Sequence, residues 1–302
     1  MKVVSFLVIV TCCVSLICFA GCSRSRMQNK APASVKRTED FHWPEGKRAA
    51  ISLSFDDARA SQVSRGIPIL DEYGVKATFF VLGYVADQHP ALVEQIHAEG
   101  HEIGVHGYLH RFVNRSGPDE FARDLERSLR AVAGITGETP LGHRAPYFSV
   151  NGGTSWVFDI LQAQGLRYDS SFFPARNMLY GFPEAPRFPH RLNGHNLIEF
   201  PLSTIRLSGV NWPIAGGFYL RSLPYFFIRW AIARLNGQGQ PAIMYMHPWE
   251  LDLGQQYDQV TLRERITHYH GRRCLAGKLH RLFRDFRFCS LSTLLELQLQ
   301  YE

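Results

Sequence analysis

The chain has 302 residues and carries 33 Lys and Arg against 27 Asp and Glu, a formal charge of +6 with His neutral. It is 45% hydrophobic, 13% aromatic and 20% charged, which excludes a disordered tail, a collagen-like fibre and a multi-span membrane protein. A pI near 9.1 suits an anionic partner, yet the excess charge is thinly spread and no recognition helix or aromatic-basic motif accompanies it, so no nucleic-acid partner is expected.

In chain order, Lys2 precedes an apolar run from Val3 to Ala20, which ends at Phe19-Ala20-Gly21-Cys22. A positive start, an apolar centre and small residues before a cut describe a secretory signal. The small residues before Cys22 also resemble a bacterial lipobox, whose Cys is lipidated and becomes the mature N-terminus, although Phe19 stands where Leu is usual. A lipoprotein signal over 1–21, with Cys22 lipidated, is the expectation, and a single membrane anchor and a simple cleaved signal are the alternatives. Arg24, Arg26 and Lys30 after the run favour the anchor under the positive-inside rule. All three export the rest of the chain, to the periplasm or cell exterior. Ser23 after Cys22 favours the outer membrane in a Gram-negative envelope. Residues 22–47, polar with Pro32 and Pro44, read as a tether, lipidated if Cys22 is modified, and 48–302 as the folded domain with a C-terminal helical extension.

From Ala49 onward short apolar runs alternate with amphipathic stretches, the pattern of a parallel sheet wrapped in helices. Strands are expected at Ala50–Phe55, Ala77–Leu82, Glu102–Val105, Leu166–Tyr168, Leu197–Phe200 and Ala242–Met246. Helices are expected at Ser61–Tyr73, Pro90–Ala98, Pro118–Ala133, Thr154–Gln164, Leu223–Leu235, Leu262–Phe283 (with Gly271 as its weak point) and Leu291–Leu299. Only Cys274 and Cys289 fall in the folded part, without CxxC spacing, so a zinc knuckle is excluded. A disulfide between them and two buried free thiols are equally open.

Asp56, Asp57, His106, Arg144, Asp169 and His247 each sit at or just beyond the C-terminal end of an apolar run, the rim where parallel α/β barrels build active sites. Asp57, His106 and His110 offer one carboxylate and two imidazoles, a set that suits Zn²⁺ and other borderline divalent ions. His106 and His110 are four apart, a spacing that puts both rings on one side of a helical turn. Asp56 and Asp57 read as a helix N-cap pair or as a divided pair, one ligating metal and the other facing a water. His101 and His195 read as packing or surface histidines rather than ligands. The tail arginines (Arg263, Arg265, Arg272, Arg273, Arg281, Arg284 and Arg287) read as solvated helix faces, with anionic glycans or membrane headgroups as the alternative.

Phe55-Asp56-Asp57, His106-xxx-His110, Arg144-Ala145-Pro146-Tyr147 and Met246-His247 occur in an order that resembles the polysaccharide deacetylases of the NodB-homology class, carbohydrate esterase family 4. Tyr168-Asp169-Ser170-Ser171, Gly216-Gly217-Phe218-Tyr219, His247-Pro248-Trp249-Glu250 and Arg284-Asp285-Phe286-Arg287-Phe288 are similar to the subgroup found beside exosortase and exopolysaccharide loci. The resemblance spans roughly Ala49 to Leu253 and implies an α/β fold, a distorted (β/α)7-type barrel. It implies Asp57, His106 and His110 as ligands of one divalent ion, zinc first, with cobalt, nickel or manganese as alternatives. It further implies Asp56 as general base, His247 as general acid, Arg144 holding and tuning the base, and Asp169 orienting the catalytic His. Tyr147 would help bind the oxyanion through its backbone N–H, and Trp249 would wall the acetyl pocket. His143 stands where an aromatic is common, and Gly107 where Ser or Thr is usual.

The expected activity is removal of N-acetyl groups from amino sugars of an exported or cell-surface polysaccharide. Peptidoglycan or a small amide on the same scaffold is the enzymatic alternative, and a non-catalytic glycan-binding lipoprotein the alternative of another class. An amide carbonyl needs an electrophile, an activated water and a proton donor for the leaving amine, and this set supplies all three without a Ser or Cys nucleophile.

Overall fold

A computed structural model describes residues 50–58, 60–176, 181–255 and 261–299. The apolar N-terminal run, Cys22 and the tether lie outside the described residues. Strand β1 (Ile51–Asp57) is buried along its length up to Asp56. Its parallel neighbours are β2 (Thr78–Val81) on one side and β10 (Ala242–Met246) on the other. The register Phe55↔Met246 and Asp57↔Val81 sets three strand ends level with one another. Phe55 and Phe79 stack across the first pair with ring centroids 4.9 Å apart.

Beyond β2 the sheet continues through β3 (Glu102–Val105), β4 (Gly142–His143), β5 (Tyr168–Asp169) and β7 (Ile198–Glu199), all parallel, with β6 (His190–Arg191) antiparallel at the far edge. A further short strand, β11 (Phe288–Cys289), pairs with the start of β1. The two edges of this curled sheet approach each other where Ser203 N–H donates to Ile243 O at 3.0 Å. Ser203 Oγ also accepts the Ile243 N–H at 2.8 Å. The sheet is the barrel-like α/β arrangement expected.

Helix α1 (Ala60–Asp71) follows β1; α2 (Gly83–Gln88) and α3 (Pro90–Ala98) follow β2. Helix α4 (Pro118–Thr136) follows β3 and buries Phe121, Leu125, Leu129 and Val132, the i, i+4, i+8, i+11 stripe of one face. Pro118 at its first turn and Asp119 and Glu120 beside it favour the start. The expected end at Ala133 is three residues short, because the left-handed cap is Gly137 at φ 75° and not Gly134. Helix α5 (Trp156–Ala163) leads into β5.

Two elements between β7 and β10 had no clear signature. A hairpin of β8 (Thr204–Leu207) and β9 (Val210–Pro213) turns through Ser208 and Gly209, both at positive φ. The short α6 (Gly217–Ser222) precedes α7 (Tyr225–Asn236). The tail stretch expected from Leu262 to Phe283, with Gly271 as its weak point, is divided there into α8 (Leu262–Tyr269) and α9 (Arg272–Asp285). Gly271 between them has φ 72°, and a Cβ there would lie 2.7 Å from the Arg221 carbonyl oxygen, so the chain must break at a glycine. The chain ends its described part in α10 (Leu291–Leu299).

Cys274 and Cys289 are free, the first exposed and the second half-buried, which corrects both the disulfide and the buried-thiol expectations. Among the described residues no helix is long and apolar enough to cross a membrane. His101 and His195 pack as expected: His101 Nδ1 accepts the Ala77 N–H at 3.3 Å, and His195 Nε2 meets Asp159 at 2.9 Å.

Candidate active site

Asp57, His106 and His110 converge where β1 and β3 end. Asp57 Oδ1 lies 3.8 Å from His106 Nε2 and 3.4 Å from His110 Nε2. One ligand atom from each falls within 4.8 Å of the other two. Ligands held about 2.0–2.2 Å from a tetrahedral ion stand roughly 3.3–3.6 Å apart, so the Asp57–His110 spacing matches and the Asp57–His106 spacing is slightly wider, close enough for the three to hold one divalent cation. His106 Nδ1 is 2.7 Å from the Arg144 carbonyl oxygen and must carry the proton of that bond, which leaves the Nε2 lone pair facing Asp57. Burial pushes the His106 imidazole down to about 4, so the ring stays neutral, as a ligand must.

The two histidines do not share a helical turn. Gly107 at φ 73° and His110 at φ 55° fold residues 106–110 into an irregular loop, and the rings meet with centroids 5.1 Å apart. A Cβ on Gly107 would sit 3.1 Å from Asp124 Oδ2 and would have to adopt the same positive φ, so a larger residue here would be strained. Asp57 (φ 73°), Ala58 (φ 45°), Tyr147 (φ 58°) and Phe148 (φ 48°) add further left-handed backbone around the same point. Such conformations cost about 1–3 kcal/mol each and persist only where the surroundings over-determine them. Their concentration here marks the site independently of its side-chain chemistry.

Asp56 is turned away from helix capping. Its Oδ1 accepts from Arg144 Nη1 at 2.7 Å, and both groups are buried. Nη1 also donates to Ser54 Oγ at 2.7 Å, while Nε and Nη2 donate to the carbonyl oxygen and hydroxyl of Ser170 at 3.0 and 2.8 Å. Arg144 Cζ lies over the Phe80 ring, 4.2 Å from its centroid. Ser54 and Asp56 share one face of β1 by the two-residue period, so one fork reaches both.

His247 follows β10. Its Nε2 is 4.0 Å from Asp57 Oδ2, and its ring lies near-parallel to Trp249 at 5.5 Å. Trp249 is buried and backs the imidazole. The carboxylate beside His247 Nδ1 is Glu250, at 3.4 Å. Burial alone would push the His247 imidazole down, but the Glu250 hydrogen bond and the Asp57 charge outweigh it and raise it to about 9. For Glu250 burial acts upward, and the bond to His247 and the Arg221 charge override it, leaving the carboxyl below its ordinary range.

Asp169 does not do what was expected of it. Its Oδ1 accepts from His143 Nδ1 at 2.8 Å and from Ser171 Oγ at 2.7 Å, so the histidine it orients is His143 and not His247. The register explains this: His143, Asp169 and Glu199 are direct neighbours across β4, β5 and β7. Burial, then the charge of Asp169, holds the Glu199 carboxyl well above the usual range, so it keeps its proton. Tyr147, partly exposed, lies against His110 at 4.4 Å and stacks on Phe112 at 3.9 Å. Glu250, Ser54 and Ser170 are the residues missed from the sequence; an acid three residues beyond His247 was the available signal for Glu250.

A family model described as polysaccharide deacetylase matches residues 44–168. Residues 44–168 are a polysaccharide deacetylase domain. Residues 170–296 match a second model, a domain of unknown function (DUF3473). The boundary runs through the sheet: the deacetylase match supplies β1 to β4 and Tyr168 of β5, and the second match supplies β7 and β10. The chain is 38% identical over 121 residues to a peptidoglycan-N-acetylglucosamine deacetylase, PgdA, of Listeria monocytogenes serotype 1/2a, covering 40% of this chain and 26% of that protein. It is 31% identical over 118 residues to a peptidoglycan-N-acetylglucosamine deacetylase of Bacillus cereus, covering 39% and 43%. A chitin deacetylase of Pestalotiopsis sp is 33% identical over 105 residues, covering 33% and 35%. The chain thus spans under half the length of each of these relatives. A Mycobacterium smegmatis crystal structure, provisionally assigned as a polysaccharide deacetylase, shares the fold with TM-score 0.61 and 22% identity, over 89% of this chain and 96% of that one.

Proposed function

We propose that the chain is a metal-dependent hydrolase that removes N-acetyl groups from amino sugars of a polysaccharide. The observation that supports this reading is the convergence of Asp57, His106 and His110, with His247 Nε2 4.0 Å from Asp57 Oδ2 and with Asp56, next to Asp57 on β1, held by Arg144. A divalent ion held by those three residues would polarise the amide carbonyl and ease deprotonation of a water; zinc fits the donor set, as do cobalt, nickel and manganese. Asp56, held by Arg144, accepts the proton of the attacking water. His247 gives its proton to the amide nitrogen as the C–N bond breaks, so acetate and a free amine leave. The Tyr147 backbone N–H and the Trp249 ring are the groups proposed to hold the oxyanion and wall the acetyl group.

Peptidoglycan as substrate is favoured by the activities named for the Listeria and Bacillus relatives. An exported exopolysaccharide is favoured by the motif similarities around Gly216–Tyr219 and His247–Glu250. A purely glycan-binding role is disfavoured because the base and acid positions keep Asp56 and His247. Export, with lipidation at Cys22, rests on the N-terminal pattern alone. Loss of membrane association in a Cys22→Ser variant would support it, and unchanged partitioning would remove it.

The reading is tested by acetate release from N-acetylated chitooligosaccharides, peptidoglycan and N-acetylated exopolysaccharide, with the protein and an Asp56→Asn variant in parallel. Release from one of these substrates, reduced at least about a hundredfold in the variant, is expected. Equal release by both proteins would contradict it.

A further inference from the structure

Glu250 bonds in two directions. Its Oε1 accepts the His247 backbone N–H at 2.9 Å and lies 3.4 Å from His247 Nδ1. Its Oε2 meets Arg221 Nε at 2.5 Å, and both side chains are almost wholly buried. The rest of the Arg221 fork is spent on the tail: Nη2 donates to Thr267 O at 2.8 Å and Nη1 to His270 O at 2.6 Å. Thr267 lies in the last turn of α8 and His270 directly after it. A second arginine, Arg272 at the start of α9, donates through Nη2 to Trp249 O at 2.9 Å. The turn from His247 to Leu251 is therefore held from behind by two arginines that link it to the C-terminal helices.

Space at this point is as tightly specified as charge. A Cβ on Gly217 would stand 1.8 Å from Glu250 Oε1 and 2.0 Å from Oε2, so only glycine lets the carboxylate lie where it does. The carboxylate, its arginine and its glycine all come from the segment matched as a domain of unknown function.

We propose that Glu250 is the positioning residue for His247, and that Arg221 fixes Glu250 by tying it to the end of α8. The C-terminal helices then serve the reaction by holding the proton donor's ring with Nδ1–H toward Glu250 and Nε2 toward the cluster, an orientation a free imidazole would hold only part of the time. This inference rests on His247 acting as the proton donor. No atom of Glu250 or Arg221 touches substrate in this scheme.

The test compares the protein with a Glu250→Gln variant on two substrates: an N-acetylated chitooligosaccharide, whose amine must be protonated to leave, and 4-nitrophenyl acetate, whose phenolate leaves without help. The amide rate constant kcat is expected to fall at least about tenfold further than the ester rate, at little change in KM. An Arg221→Gln change should lower the same amide-to-ester ratio, and adding it to Glu250→Gln should lower that ratio no further. Equal loss on both substrates would overturn the proposal, since a general structural defect acts on both.

A second readout needs no turnover. In ring-¹⁵N-labelled protein, the His247 Nδ1 proton should appear as a slowly exchanging signal that disappears in Glu250→Gln, while the His106 Nδ1 signal, held by Arg144 O, persists and reports an intact cluster. Absence of the His247 signal in the parent protein, or its persistence in the variant, would overturn the proposal. Failure of the parent protein to release acetate from any amide would instead remove the hydrolase reading, and the ring signal would still decide the geometry.

Discussion

Arg144 and Asp56 form a buried pair in which one guanidinium nitrogen, Nη1, is 2.7 Å from the carboxylate and 2.7 Å from the Ser54 hydroxyl. Because Nε and Nη2 are both occupied by Ser170, the arginine cannot swing without breaking several bonds at once. Asp56 is thereby fixed in direction, next in sequence to Asp57 of the cluster.

Arg144→Lys should therefore behave as a severe change. An ammonium on a flexible stem cannot reproduce a planar fork with acceptors on opposite sides, and the buried Ser170 carbonyl would lose its donor. A stability loss of about 3 kcal/mol or more is expected by chemical denaturation, with acetate release falling at least about a hundredfold. Retention of both would show that the fork is dispensable.

Gly217→Ala tests the packing behind His247. The added methyl group overlaps the Glu250 carboxylate, so either the carboxylate or helix α6 must move. Overpacking of this kind typically costs about 1–3 kcal/mol. A lower melting temperature than that of a Gly134→Ala control is expected, because a Cβ at Gly134 meets nothing within 4 Å. Equal melting temperatures for the two variants would contradict the close approach.

Acid should weaken the fold partly through His101. Its ring is buried, Nδ1 accepts a backbone N–H, and burial, then the Lys76 charge, pushes the imidazole down from 6.5 to about 4. The unfolded chain binds the proton at higher pH than the folded one, so this group's contribution is whole above pH 6.5 and is lost as pH falls from 6.5 toward 4. By pH 5 the loss amounts to about 2 kcal/mol. Melting curves of the protein and a His101→Gln variant should converge as pH falls from 7.5 to 5; curves that stay parallel would exclude the contribution.

The strands and helices that carry clear periodicity were legible in the sequence. Glu102–Val105, Ala242–Met246, Pro90–Ala98 and Leu291–Leu299 match their expected bounds. The short strands β4 and β6 were not, since two residues display no alternation, and they are strands only through their neighbours' hydrogen bonds. The site followed the same division. Residues at the ends of strong strands (Asp56, Asp57, His106 and His247) were placed by the rim argument alone. The partner of His247 was assigned to Asp169, and only the register shows that this carboxylate faces His143. The positive-φ loop around His110 was read as a helical turn because an i,i+4 spacing does not specify the backbone between its ends.

The most direct test of the central claim is the metal content of the purified protein after exhaustive dialysis, measured by elemental analysis together with acetate release. One equivalent of a divalent ion per chain is predicted, with release lost on chelation, restored by one equivalent of zinc, and both metal and release absent in a His110→Ala variant. Full acetate release from metal-free protein, or undiminished metal binding by His110→Ala, would contradict it.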